Sequence, residues 1–178
     1  TDYNGGLFVS IDSGKINSKW EKLWALKRSY VLHFDGNNWK QVGDKLRYAN
    51  GVGVIGNRVY ITGTQEKNII SYKINPNQSF TERIEIPSLK GNDNITFSGN
   101  KLVTTAHLDF IKFVKHVSNP EQESPCAVYT VDLESHQLDT LYLDNGSVLG
   151  AASTGLLYKK NLYVSQVFNP YILQIPLR

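Results

Sequence analysis

One hairpin recurs along the chain and limits what it can fold into. Arg58-Val59-Tyr60-Ile61-Thr62 follows a Gly56-Asn57 turn, and Lys101-Leu102-Val103-Thr104-Thr105 follows Ser98-Gly99-Asn100. The pattern returns where Tyr158-Lys159-Lys160-Asn161 leads into Leu162-Tyr163-Val164-Ser165, with a frayed copy at Asn4-Gly5-Gly6-Leu7-Phe8-Val9. The turn asparagine thus stands at 4, 57, 100 and 161, in steps of about 53, 43 and 61 residues. Alternating β-branched and aromatic residues between Gly/Asn turns read as antiparallel hairpins. Four-stranded propeller blades repeat at roughly 40–50 residues. The longer steps carry insertions, a helix in the first and residues 109–124 in the third. The expected fold is all-β: a partial β-propeller over 1–178, of which this chain supplies roughly three and a half blades.

Other stretches fit that frame. Leu7–Ile11 reads as a strand, Tyr30–Phe34 and Trp39–Val42 as a hairpin around Asp35-Gly36-Asn37-Asn38, and 68–74 and 79–86 as further strands. An amphipathic helix is expected over 17–27, with Ile16, Trp20, Leu23 and Trp24 on one face and Lys19, Glu21 and Lys22 off it. That face suits either a membrane or partner surface or packing onto the sheet as core. Half a ring leaves sheet faces bare. The remainder is therefore expected from N-terminal blades outside this sequence, a complementary chain or a second copy.

The 178 residues suffice for one domain with a real core. Charged residues at 20% and apolar ones at 40% exclude a disordered chain, and no run is long enough to span a bilayer as a helix. The net charge of +3 is scattered, which argues against nucleic acid. Cys126 is alone and reads as a small buried hydrophobe. Thr1 leads almost at once into a strand pattern, with no initiator Met or secretory leader, as in a processed chain or the middle of a domain.

Chemistry concentrates at strand starts. Gly91-Asn92-Asp93-Asn94-Ile95-Thr96-Phe97 sets a carboxylate beside an amide, and Tyr48-Ala49-Asn50-Gly51-Val52 sets another amide at a similar place. Several such oxygens converging suit calcium better than zinc or copper. The same residues also serve as turn punctuation. His107, closing the repeated strand, is either a structural histidine or a site residue.

These stretches resemble the serum paraoxonase/arylesterase family of six-bladed propellers. Tyr48-Ala49-Asn50-Gly51-Val52 is similar to that family's Phe-Ala-Asn-Gly stretch, Asp93-Asn94-Ile95-Thr96 to its Asp-Asn-Ile-Ser, and 101–107 to its strand ending in Cys-His. The segment from Asp144-Asn145-Gly146-Ser147 to Val167-Phe168 resembles its Glu-Asn-Gly-Thr and closing Val-Phe. The likeness covers the later half to three-fifths of a family member. It implies two calcium ions. Asn50, Asp93 and Asn94 match ligands of a catalytic-type site, and Asp12 matches a ligand of a structural-type site. His107 matches a pocket-lining histidine near the catalysis, while Tyr48, Val167 and Phe168 match pocket walls. The catalytic ion would polarise an ester or lactone carbonyl and stabilise the oxyanion.

The departures are specific. The family has an Asn where this chain has Ile11, so one catalytic ligand is lost and the site weakened. Its C-terminal disulfide partner is missing from Leu173-Gln174-Ile175. Its acidic ligand and histidine dyad fall outside this sequence. Sequons at Asn77 and Asn145 fall where the family carries them, implying a glycoprotein of the secretory pathway, extracellular or lumenal. Asn94, also in a sequon, is expected to stay bare. Two functions are implied: a calcium-dependent hydrolase of aryl esters or lactones at a membrane or lipoprotein surface, or a catalytically impaired chaperone or accessory subunit of a membrane protein such as a channel. In the second, Trp20, Leu23 and Trp24 are the docking element.

Overall fold

A computed structural model describes residues 1–2, 5–14 and 18–177. Its strands form four antiparallel sheets. In chain order these are β1 (Leu7–Ile11), β2 (Lys27–Phe34) and β3 (Trp39–Arg47); then β4 (Ala49–Ile55), β5 (Arg58–Gly63), β6 (Asn68–Ile74) and β7 (Phe80–Pro87). The third sheet holds β8 (Asn92–Ser98), β9 (Lys101–His107), β10 (Cys126–Asp132) and β11 (Leu138–Asp144), and the fourth β12 (Ala152–Tyr158), β13 (Asn161–Gln166) and β14 (Leu173–Pro176). Each sheet runs in sequence order, strand next to following strand, as propeller blades do. The fold is a β-propeller built from these blades. The chain separates into two compact units, Thr1–Pro87 and Ser88–Arg178, with two blades in each.

Each unit has its own apolar core. Val31, Val42, Leu46, Val59, Ile61 and Ile70 pack together in the first. Val103, Val128, Leu149, Leu162 and Val164 do so in the second, with Cys126 buried among them as expected. Central strands such as Cys126–Asp132 are buried on both faces, whereas the edge strand Phe80–Pro87 carries exposed Glu82, Arg83 and Glu85. Charged side chains on an edge discourage further strand pairing.

The recurrent turn is real but not uniform. Gly56 and Gly99 take φ +56° as first residues of two-residue turns, with Asn57 and Asn100 second. At the third copy Lys159 and Lys160 both take positive φ (45° and 61°), so Asn161 is the first residue of its strand and not a turn residue. Its amide instead donates to the Lys159 carbonyl. The copy at Asn4 lies outside the described residues.

The helices differ more from expectation. α1 spans only Ser18–Leu23, not 17–27, and residues 15–17, which include Ile16, lie outside the described residues. Ala25 adopts φ 50°, Leu26 N–H donates to the Glu21 carbonyl and Ala25 N–H to that of Lys22, a Schellman stop that delivers Lys27 into a strand. A second helix, α2 (Phe110–Ser118), occupies the insertion after β9. Asp109 caps it by accepting from Lys112 N–H.

Candidate metal centre

The candidate ligands share one local construction, repeated in three blades. Ala49 faces Gly63 and Val52 faces Ile61, so β4 carries one residue more than β5 across that interval. The same bulge separates Asn92↔Ala106 from Ile95↔Thr104, and Ala152↔Gln166 from Thr154↔Ser165. The bulged residues are Asn50-Gly51, Asp93-Asn94 and Ser153. A bulge leaves ladder positions unpaired and re-aims side chains, which is why bulges gather at functional sites. Just before each bulged strand stands a residue of positive φ: Tyr48 (57°), Gly91 (92°) and Ala151 (53°). At Gly91 the backbone passes so close to His107 that any Cβ would strike its carbonyl.

The partner strand is equally repetitive. Thr64 N–H donates to the Tyr48 carbonyl and His107 N–H to that of Gly91, each at 2.8 Å. Thr64 therefore lies opposite Tyr48 as His107 lies opposite Gly91, each within side-chain reach of the bulged residue two places on. Asn50 Nδ2 donates to Thr64 Oγ1 at 3.0 Å. The His107 Nε2 to Asp93 Oδ2 distance is 3.4 Å, with both side chains nearly enclosed. Phe113 of α2 stacks on the His107 ring at 3.9 Å between centroids, which fixes the imidazole plane. His107 Nδ1 is buried and has no hydrogen-bond partner.

Asn94 makes the donor chemistry readable. Its Nδ2 donates to the Ser153 carbonyl at 3.3 Å and to Ser153 Oγ at 3.0 Å. A carbonyl only accepts, so the amide nitrogen is committed to Ser153 and Oδ1 is the end left for a cation. Asp93 adds a carboxylate 6% exposed. Such oxygens suit a hard cation such as calcium. Among the described residues no group of three or more His, Cys, Asp or Glu side chains comes together. Asp93, Asn94 and His107 fall in the second unit and Asn50 and Tyr48 in the first.

Asp12 is arranged differently. It follows β1 as Thr64 follows β5, but its Oδ2 pairs with Lys22 Nζ at 2.5 Å and its Oδ1 accepts from Ser13 Oγ at 3.0 Å. Partial burial raises its carboxyl, but hydrogen bonds from Lys22 and Ser13 and the ammonium charge outweigh that and hold it below the ordinary range. Burial likewise lowers the Lys22 ammonium, and its bond to Asp12 with the influence of Tyr48 carries it above its usual value. As arranged, this carboxylate does not fit a metal.

Among the remaining positions, Val167 is exposed, and Phe168 packs edge-on against His116 of α2 at 5.1 Å. His116 donates from Nδ1 to the Gln122 carbonyl. Trp20 (57% exposed), Leu23 and Trp24 (68%) point outward, so they are not core against the sheet. The buried side of α1 is Glu21, which accepts from Gly14 N–H and pairs with Arg28. Asn77 and Asn145 both stand exposed in Asx turns, each accepting from the N–H two residues on. Thr64, Ser153, Phe113 and Lys22 carry no motif of their own. Cross-strand register brings in Thr64, the neighbouring sheet Ser153, α2 Phe113 and α1 Lys22.

Comparison with known proteins agrees with this geometry. Residues 10–173 match the model of the Arylesterase family. The chain is 24% identical over 155 residues to human serum paraoxonase/arylesterase 1, and 25% over 159 residues to human serum paraoxonase/lactonase 3. These alignments cover 84% and 85% of the chain but 44% of each relative, so the chain spans less than half the length of the curated relatives it matches. Propeller-like solved structures share the fold. The nidogen/laminin complex superposes with a TM-score of 0.50 at 13% identity, over 84% of this chain and 68% of that one. A computationally designed protein, Ika4, does so with 0.50 at 12%, over 84% and 79%.

Proposed function

The chain belongs to the arylesterase family, and from that premise we propose that it serves a calcium-dependent hydrolase of aryl esters or lactones. The observation that supports this most is the Asp93-Asn94 bulge set against His107, with the Asn94 nitrogen tied to Ser153. Asp93 and Asn94, both in the second unit, would hold the ion through a carboxylate and an amide oxygen. When bound, calcium supplies Lewis-acid polarisation of the scissile carbonyl and charge stabilisation of the oxyanion. The chain's own residues prepare that role. Gly91 and the bulge set the direction of Asp93, Ser153 orients the Asn94 amide, and Phe113 keeps the His107 ring in plane. The Ile11 side chain lacks the oxygen that the family resemblance implies there, so a bound calcium would have one side-chain ligand fewer, a place that water can fill.

A second reading has its own observation. Trp20, Leu23 and Trp24 form an exposed apolar stripe, which suits a lipid surface or a membrane protein in the lumen or outside the cell. Together with Ile11 it favours an accessory subunit in which catalysis has weakened. Hydrolysis of phenyl acetate and a simple lactone by the intact, natively purified protein separates the two. The assay is run in calcium, in chelator, and with calcium restored. Activity that vanishes and returns is the hydrolase outcome. Inactivity throughout, in a protein that still melts higher with calcium, sinks it and leaves the accessory role.

A further inference from the structure

The family resemblance implies a second, structural cation at Asp12, but this chain puts something else there. We infer that the Lys22 ammonium takes the cation position at Asp12, so that this carboxylate binds no calcium. Both Asp12 oxygens are engaged, Oδ2 by Lys22 Nζ at 2.5 Å and Oδ1 by Ser13 Oγ. The ammonium has a second anchor, lying 4.4 Å from the centroid of the Tyr48 ring, on whose electron-rich face a cation is favoured. Its backbone is held too, because Gln65 Nε2 donates to the Lys22 carbonyl at 3.3 Å. Glu21, the next residue, is buried and pins α1 through Gly14 and Arg28. The side chain of the adjacent Ile11 offers no oxygen to complete a shell. A divalent ion arriving here would have to displace an amine already matched to the carboxylate charge, and would meet its repulsion at close range.

The inference stands apart from the proposed hydrolase, since it concerns Asp12 and not Asp93. Its test is the number of calcium ions bound per chain, measured by equilibrium dialysis with elemental analysis on the intact protein. Wild type is compared with Lys22→Met, Asp12→Asn and the double variant, each checked for an unchanged circular dichroism spectrum. Lys22→Met is expected to bind one calcium more than wild type, and Asp12→Asn to abolish that gain while leaving the wild-type number unchanged. Equal numbers in wild type and Lys22→Met overturn the inference. So does loss of a calcium on making Asp12→Asn alone. If wild type binds none, the calcium reading of Asp93 and Asn94 fails, yet the difference between Lys22→Met and wild type still decides this one. Lys22→Gln, which keeps a polar head without charge, stands in if the methionine variant does not fold.

Discussion

Asn50 with Thr64 and Asp93 with His107 occupy the same two places in successive blades. The bulge is the same, the residue before the strand has positive φ in both (57° and 92°), and the closing hydrogen bond has the same length. What differs is the chemistry. One pair is a neutral amide on a hydroxyl, the other a carboxylate beside an imidazole that an aromatic ring holds in place. The backbone therefore supplies the position and the side chain alone supplies charge. Equivalent seats in two blades are thus filled with different groups, and reactivity should concentrate in the one that carries the formal charge.

That contrast can be broken at several points. The largest effect is expected from Asp93→Asn, which keeps the shape and removes the charge. In the proposed hydrolase kcat should fall roughly 10²- to 10³-fold, the scale of losing one preorganised electrostatic group. A loss no greater than that of Asn50→Ala would make the two seats equal and defeat the argument. Next comes Gly91→Ala. Its φ of 92° and the His107 carbonyl against the missing Cβ predict a cost of about 3 kcal/mol or more in a denaturant melt, combining backbone strain with a forced shift. Asn50→Ala, leaving Thr64 with its other contacts, should cost about 1 kcal/mol by the same measurement.

The smallest effect belongs to Asp12 and Lys22, whose side chains are 51% and 24% exposed. A double-mutant cycle should give a coupling of no more than about 1 kcal/mol, shrinking in added salt. Its pH profile is set by the two shifts. The lowered Asp12 carboxyl contributes stability above the ordinary carboxylate value of 3.8 and loses it as pH falls through the lowered one. The raised Lys22 ammonium contributes below 10.5 and loses it as pH rises through its higher value. The coupling should therefore be flat across neutral pH, and a transition near pH 7 would show that another group carries it.

The blades were legible because hairpin chemistry is local. Gly56-Asn57 and Gly99-Asn100 announce their turns, and the strands after them alternate as a half-buried surface requires. The third copy misleads at Asn161 because two lysines adopt positive φ, which no lysine advertises. Ala25 hides the end of α1 for the same reason: a glycine there would have marked it. α2 has a capping Asp109 and an apolar stripe at Ile111, Val114 and Val117, but it sits in an interval that the repeat explains as insertion. Asp93, Asn94 and Asn50 stand out as oxygen donors at strand starts, whereas their supports do not. Thr64, Ser153 and Phe113 matter only through register and tertiary contact, and Lys22 through a lysine reaching ten residues back to an aspartate.

The left-handed residue before each bulge shapes how such a protein changes over time. Tyr48, Gly91 and Ala151 all hold a positive φ before the bulge, with three unrelated residue types. Since the path is fixed independently of the ligand that comes after it, the bulged residue can be exchanged without refolding the blade. Replacement of one ligand is then a single-codon event with little penalty in folding. Such a scaffold can then change the chemistry of one blade while its neighbours keep theirs.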